Sequence, residues 1–268
     1  MIRLIVNFVA VVILVSSCSK SNDVFLEEDD KTALTIDSID RRVIADLYYA
    51  LNGDQWTTKW DLKAPQTWAG VTIAFDEAHN VYRVIELRLH DQKMYGVIPQ
   101  SIGELKYLHT LDILGPGING ELPDSFRDLK ALRYLGINST FLNSSIWRPI
   151  SELKGLEWLI VEGHHFGTNV PKQLCQLVNL KLLQLRNNQF NGAISDDLLN
   201  MQCDICLEYN QIDSLSDAYW STKGMINLNF NNLSGVISKD IQSLPYFESK
   251  FGISVGVQNE GFGYVLEK

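Results

Sequence analysis

The sequence predicts an α/β solenoid, in which short strands stack into a parallel sheet on one side and irregular turns form the other. Three observations carry that expectation. An apolar motif recurs about every 24 residues through most of the chain; within each copy two apolar residues alternate as on a strand; and recurring glycine, proline and asparagine slots follow them. Repeats of roughly 20–50 residues mark stacked architectures, because a single unit cannot bury its own apolar face.

Composition is compatible with that reading and narrows the function. Of 268 residues, 46% are apolar, 10% aromatic and 21% charged, with four cysteines. Such a chain buries a core, which excludes a disordered, collagen-like or disulfide mini-scaffold protein. The 23 basic and 32 acidic side chains give a formal charge of -9. Nucleic acid is therefore not an expected partner, since phosphates need a basic face.

Residues 1–17 read as a signal peptide. Arg3 precedes an apolar run from Leu4 to Val15, interrupted only by Asn7, and small residues follow. Twelve residues of helix cover only about 18 Å, too short for a membrane span. The ending Val15-Ser16-Ser17-Cys18 resembles the lipobox of bacterial lipoproteins, which implies an acylated Cys18 and attachment to a membrane through lipid alone. A plain secretory leader with a chance cysteine is the alternative. Residues 18–32 are polar and acidic, as a flexible tether should be. Their Glu27-Glu28-Asp29-Asp30 run resembles the surface-export signal of Bacteroidetes lipoproteins, which implies an outer-membrane, surface-exposed location; a periplasm-facing or secreted protein is the alternative.

Residues 33–83 are expected to form a short helical amino-terminal cap. Ile39, Val43, Leu47 and Leu51 recur at helical spacing, and Asn52-Gly53 is a suitable stop. Trp56, Trp60 and Trp68 supply the large apolar surface that covers a first coil.

The repeats occupy residues 84–245, about seven copies. Val84, Leu87 and Leu89 are followed at the same spacing by Leu108, Leu111 and Ile113; Leu132, Leu135 and Ile137; Leu156, Leu159 and Val161; and Leu180, Leu183 and Leu185. Shorter copies follow around Ile205 and Leu207, then Ile226 and Leu228. A ladder slot holds Asn188, Asn210 and Asn231, where an amide satisfies main-chain groups left unpaired as the chain leaves the strand. Earlier copies hold Gln92, Pro116, Thr140 and His164 there, so less regular turns are expected toward the amino terminus.

The segments NLKLLQLRNNQFNGAIS and MINLNFNNLSGVIS resemble leucine-rich repeats of the plant-type subclass. Gly96, Gly120, Gly192 and Gly235 fill its glycine slot, and Pro99, Pro123 and Pro171 its proline slot. Ser144 and Trp147 replace both in the third copy, and the sixth is short, which leaves their convex sides least defined. The string DLYYALNGDQWTTKW followed by TWAGV resembles the cap that precedes such repeats. The resemblance implies a right-handed superhelix with a concave parallel sheet, serving as a non-enzymatic recognition module for a protein or peptide.

Residues 246–268 read as a β-rich carboxyl-terminal cap, one or two strands carrying Phe247, Phe251, Val255, Val257, Phe262 and Tyr264.

No nucleophile elbow, phosphate-binding glycine loop or paired zinc motif is present, so no catalytic residue, cofactor or metal is assigned. Cys203-Asp204-Ile205-Cys206 falls on a strand, where neither a redox turn nor a metal knuckle fits, and Cys175 lies on the far side of the coil; three thiols are expected. His164 fills a ladder slot beside His165. Asp37-Ser38-Ile39 and Asp213-Ser214-Leu215 resemble Bacteroidetes O-glycosylation sequons, which implies modification at Ser38 or Ser214.

The register does locate a surface. Residues flanking the inward leucines point out of the concave sheet, and equivalent positions of adjacent copies sit about 4.8 Å apart. Tyr134, Trp158, Ile160 and Leu182 thus form one apolar patch, with Glu162, Arg186 and Glu208 as a charged rim, Gln184 as a further candidate contact and Gly136 as a dip beside Tyr134. Solvent-facing apolar patches rimmed by charge mark binding sites. Arg88 beside Asp112 reads as a lateral ion pair. The expected ligand is a protein or peptide and the expected state a monomer; the alternative is a glycan stacked on Tyr134 and Trp158.

Overall fold

The computed structural model describes residues 35–90, 93–222, 225–245, 247 and 255–267. The leader, Cys18, the tether, Gln92 and Phe251 lie outside the described residues. The chain is an α/β solenoid whose main sheet has eight strands in sequential order: β1 (Val71–Asp76), β2 (Val81–Leu89), β3 (Thr110–Leu114), β4 (Tyr134–Asn138), β5 (Trp158–Glu162), β6 (Leu182–Gln184), β7 (Asp204–Cys206) and β8 (Ile226–Asn227). From β2 onward every pair is parallel.

The cap begins with helix α1 (Ser38–Ala50), started by the Asp37 carboxylate, which accepts from the backbone N–H groups of Ile39 and Asp40. Val43, Ile44, Leu47 and Tyr48 face inward, but Ile39 does not: it is 46% exposed. Asp40 is buried in its place, and its carboxylate accepts from Val84 N at 2.8 Å, giving the first repeat's backbone a partner. The helix stops where Asn52 takes the left-handed conformation (φ 57°). Trp56, Trp60 and Trp68 are buried, and each indole N–H donates to a backbone carbonyl, of Leu51, Ala69 and Asp61 respectively. Their rings serve the cap and are not turned to solvent.

The cap is not only helical. β1 pairs antiparallel with β2, covering the edge that the first parallel strand would otherwise leave open. The alternation Val71-Thr72-Ile73-Ala74-Phe75 before the turn at Asn80 (φ 54°) was the signal for it.

Inside the coils the strand leucines stack without exposure, among them Leu87, Leu111, Leu135, Leu159 and Leu183. Beside them runs the asparagine ladder. Asn188 Nδ2 donates to Val161 O and its Oδ1 accepts from His164 N; Asn210 Nδ2 donates to Leu185 O and its Oδ1 accepts from Asn188 N and Phe190 N; Asn231 repeats the pattern with Leu207 O and Ile212 N. Each amide therefore ties its coil to the one before. His164 extends the ladder by one coil, its Nε2 donating to Ile137 O at 3.1 Å, and burial pushes its pKa down, which keeps the imidazole neutral.

The carboxyl-terminal end is a further coil. Gln258 continues the ladder by donating to Leu228 O and accepting from Leu233 N, and the strand Gly263–Leu266 pairs in parallel with Ser234–Ile237. A glutamine in the asparagine slot hid this copy from the repeat pattern.

A second set of short strands runs along the flank. Tyr95–Gly96, Gly117–Gly120 and Phe141–Leu142 form one ribbon, and Asn191–Ala193 pairs with Gln211–Ser214. Among the described residues the fourth coil has no flank strand, and no backbone hydrogen bond joins residues 140–146 to residues 164–170. There Trp147, in the slot that holds proline in other copies, turns inward to meet Phe166 edge-on and Phe190 at a tilt.

Candidate functional site

The concave sheet brings the expected residues together in the register that the repeat implies. Tyr134 lies opposite Trp158, Trp158 opposite Leu182, and Gly136 opposite Ile160, which lies opposite Gln184. Trp158 is 36% exposed, while Tyr134, Ile160 and Leu182 are half-buried by one another. Three consecutive strands thus supply one apolar surface without a gap.

Gly136 is required under it. A Cβ there would meet Asp112 Oδ1 at 2.3 Å and Tyr134 Cε1 at 3.3 Å, so the aspartate and the tyrosine ring both occupy the space a side chain would take. Burial, reinforced by the nearby Asp112 charge, pushes the Tyr134 phenol above its ordinary pKa and keeps it a donor. Asp112 Oδ2 lies 3.0 Å from His90 Nε2 and 3.9 Å from Arg88 Nη1, so the lateral ion pair expected from the sequence is present but long. Lys181 Nζ sits over the Trp158 ring, 4.8 Å from its centroid, and is also ion-paired to Glu157.

The polar residues are bonded to each other. Gln184 donates to Glu162 at 2.7 Å. Arg186 grips Glu208 through two contacts of 3.1 and 3.0 Å, and Asn227 donates to the same carboxylate. Burial works against the Arg186 charge, but the Glu208 hydrogen bond and charge outweigh it and hold the guanidinium above its ordinary pKa. Glu208, expected on an open rim, is only 6% exposed. These five side chains form a self-satisfied border.

Cys206 also touches this border, its sulfur accepting from the Arg186 guanidinium. Cys175, Cys203 and Cys206 are free thiols. Burial pushes Cys203 up to about 11 and raises Cys206 as well, so both are protonated at neutral pH and neither is an activated nucleophile. Among the described residues no group of three or more His, Cys, Asp or Glu is placed to share a metal ion.

Comparison with solved structures finds the same architecture. A plant ice-binding protein is similar at 23% identity, covering 78% of this chain and 84% of its own, with a TM-score of 0.57. The Arabidopsis receptor kinase HAESA, solved with the peptide hormone IDA and the co-receptor SERK1, is similar at 20% identity and a TM-score of 0.61. The Arabidopsis GASSHO1/SCHENGEN3 ectodomain, solved with CASPARIAN STRIP INTEGRITY FACTOR 2, gives 19% and 0.59. Each of these two receptors covers 85% of this chain, which spans only 42% and 30% of them. A search of curated protein sequences returns no match. The sequence model of the leucine-rich repeat region matches residues 75–251, and the chain belongs to the leucine-rich repeat family.

Proposed function

We propose that this chain is a non-enzymatic recognition module that binds a protein or peptide on its concave face and is anchored at the cell surface by lipid on Cys18. One observation carries the binding reading: Tyr134, Trp158, Ile160 and Leu182 form a continuous apolar surface on a sheet whose fold needs no large apolar group there. The similar HAESA structure holds a peptide hormone, which supports the same use of the fold. The border favours a peptide over a glycan. A sugar needs free donors and acceptors beside its stacking ring, whereas Gln184 and Glu162, and Arg186 and Glu208, are already engaged with each other. An apolar peptide side chain has no such requirement and gains from displacing water over Trp158.

The test compares protein lacking residues 1–18 with its Trp158→Ala variant, in cell-surface pull-downs and on a glycan array. Capture of a proteinaceous partner that the variant loses is the expected result; array binding lost in the variant transfers the site to carbohydrate. Anchoring is checked separately by the intact mass of the full chain, which should show acylation at Cys18 and lose it in Cys18→Ser.

A further inference from the structure

The flank carries a second feature that the concave face does not explain. Where the ribbon breaks at the fourth coil, a cleft of about 450 Å³ opens between residues of the third, fourth and fifth coils. Counting four residues on from the ladder slot, the third, fourth and sixth coils hold Ser144, Thr168 and Ser214 where Gly96, Gly120, Gly192 and Gly235 stand in the others; the sixth, between glycine-bearing coils, still pairs on the flank. Those four glycines all have positive φ, and two successive replacements coincide with the break in flank pairing.

The lining has a distinctive chemistry. It presents hydroxyls and amides from Ser144, Thr168, Asn169 and Gln173 over an apolar base of Trp147, Val170 and Pro171. Lys172 is its one charged side chain, exposed and without an ion pair among the described residues, and no carboxylate lines the cleft of a chain with 32 acidic residues. Two of its residues also hold polar atoms that the protein leaves unsatisfied, Trp147 Nε1 and Ser195 Oγ. Both are sealed from bulk water. A buried indole N–H without an acceptor is costly, and each such group in a folded protein calls for a reason.

We propose that this cleft is a second ligand site, for a small sugar acid. The volume lies within the range of small-molecule sites. A pyranose presents hydroxyls that both donate and accept, matching the neutral amides and hydroxyls of the wall; one apolar ring face rests on Val170 and Pro171; and a carboxylate finds Lys172 at the mouth. The site is independent of the concave patch, which lies on the other side of the coils.

The test follows the six indole N–H signals of the full chain labelled with 15N-tryptophan, with the Trp147 signal assigned by Trp147→Phe, during titration with D-glucuronate, D-glucose and acetate. Glucuronate should move the Trp147 signal with a Kd of about 1 mM, ordinary for a ligand of about a dozen heavy atoms. Glucose should bind about tenfold more weakly, and Lys172→Gln should weaken glucuronate about tenfold while leaving glucose unchanged. Trp158→Ala should leave all of this intact. An unmoved Trp147 signal, equal binding of glucose, equal binding of acetate, an unaffected Lys172→Gln variant, or loss in Trp158→Ala would each overturn the proposal.

Discussion

The concave sheet and the flank are built by the same coils, yet one is continuous and the other is broken. From β2 to β8 the parallel register passes through every coil, whereas the flank ribbons stop at the third coil and resume at the fifth. The sheet is over-determined. Each strand has inward leucines packed between equivalent leucines above and below, so a one-residue slip would turn them all to solvent. The flank strands have two to four residues and no such alternation; most contain a glycine with positive φ, though Phe141–Leu142 and Gln211–Ser214 do not. A face specified by many weak contacts tolerates substitution; a face specified by a few special residues breaks where two are replaced in succession.

The largest test of that contrast lies in the ladder. Asn210 makes side-chain bonds to Leu185 O, Leu207 O, Asn188 N and Phe190 N, all buried. Asn210→Ala strands these groups in the core and should cost about 3–5 kcal/mol in chemical denaturation, since each unsatisfied buried group costs about 1–3 kcal/mol. A loss below about 1 kcal/mol would show that water or a relaxed turn replaces the amide, and that the ladder does not hold the coils together.

His164 gives a smaller, pH-dependent version. Its pKa in the folded chain is depressed from the ordinary 6.5 by burial, so the unfolded state binds the proton more readily. Stability should therefore be full above about pH 6.5 and decline as pH falls from there toward the folded pKa. Placing the family's usual amide there, His164→Asn, should flatten that part of the pH profile of the denaturation midpoint. An unchanged slope would assign the acid sensitivity to other groups.

What was legible in the sequence divides along the same line. The strand positions, the ladder amides and the adjacency of Tyr134, Trp158, Ile160 and Leu182 follow from a period that fixes which residues are neighbours. The β1 strand was not foreseen because it belongs to no repeat, and the last coil was hidden by Gln258, whose longer side chain makes the asparagine's bonds. Ile39 fitted a helical stripe, but the place facing β2 is taken by Asp40, since the edge N–H of Val84 needs an acceptor more than the core needs another methyl group. The pairing of Arg186 with Glu208 was beyond reach for a different reason: periodicity gives position and not rotamer.

On the concave face the next effect in size belongs to Gly136. Gly136→Ala puts a methyl group 2.3 Å from Asp112 Oδ1, so the aspartate and then the Tyr134 ring must move, at a cost of about 1–2 kcal/mol for overpacking. Its stronger readout is the phenol: the raised Tyr134 pKa should return toward its ordinary value in a spectrophotometric titration, because burial and Asp112 hold it up. An unchanged titration would mean that the dip does not position the tyrosine.

The smallest expected change in stability comes from the residue on which binding should depend most. Trp158 is more than a third exposed and its contact with Lys181 is a surface cation–π pair, so Trp158→Ala should cost no more than about 1 kcal/mol. Trp147→Ala offers the internal comparison, because that ring is buried against Phe166 and Phe190 and its removal should cost about 3–5 kcal/mol. The ratio between the two is the informative quantity. If Trp158→Ala destabilises the chain as much as Trp147→Ala, the aromatic patch is part of what holds the sheet together, and its exposure ceases to argue for a ligand. If the two differ as expected, stability has no need of an indole at position 158, and the reason for one must be sought in what the concave face binds.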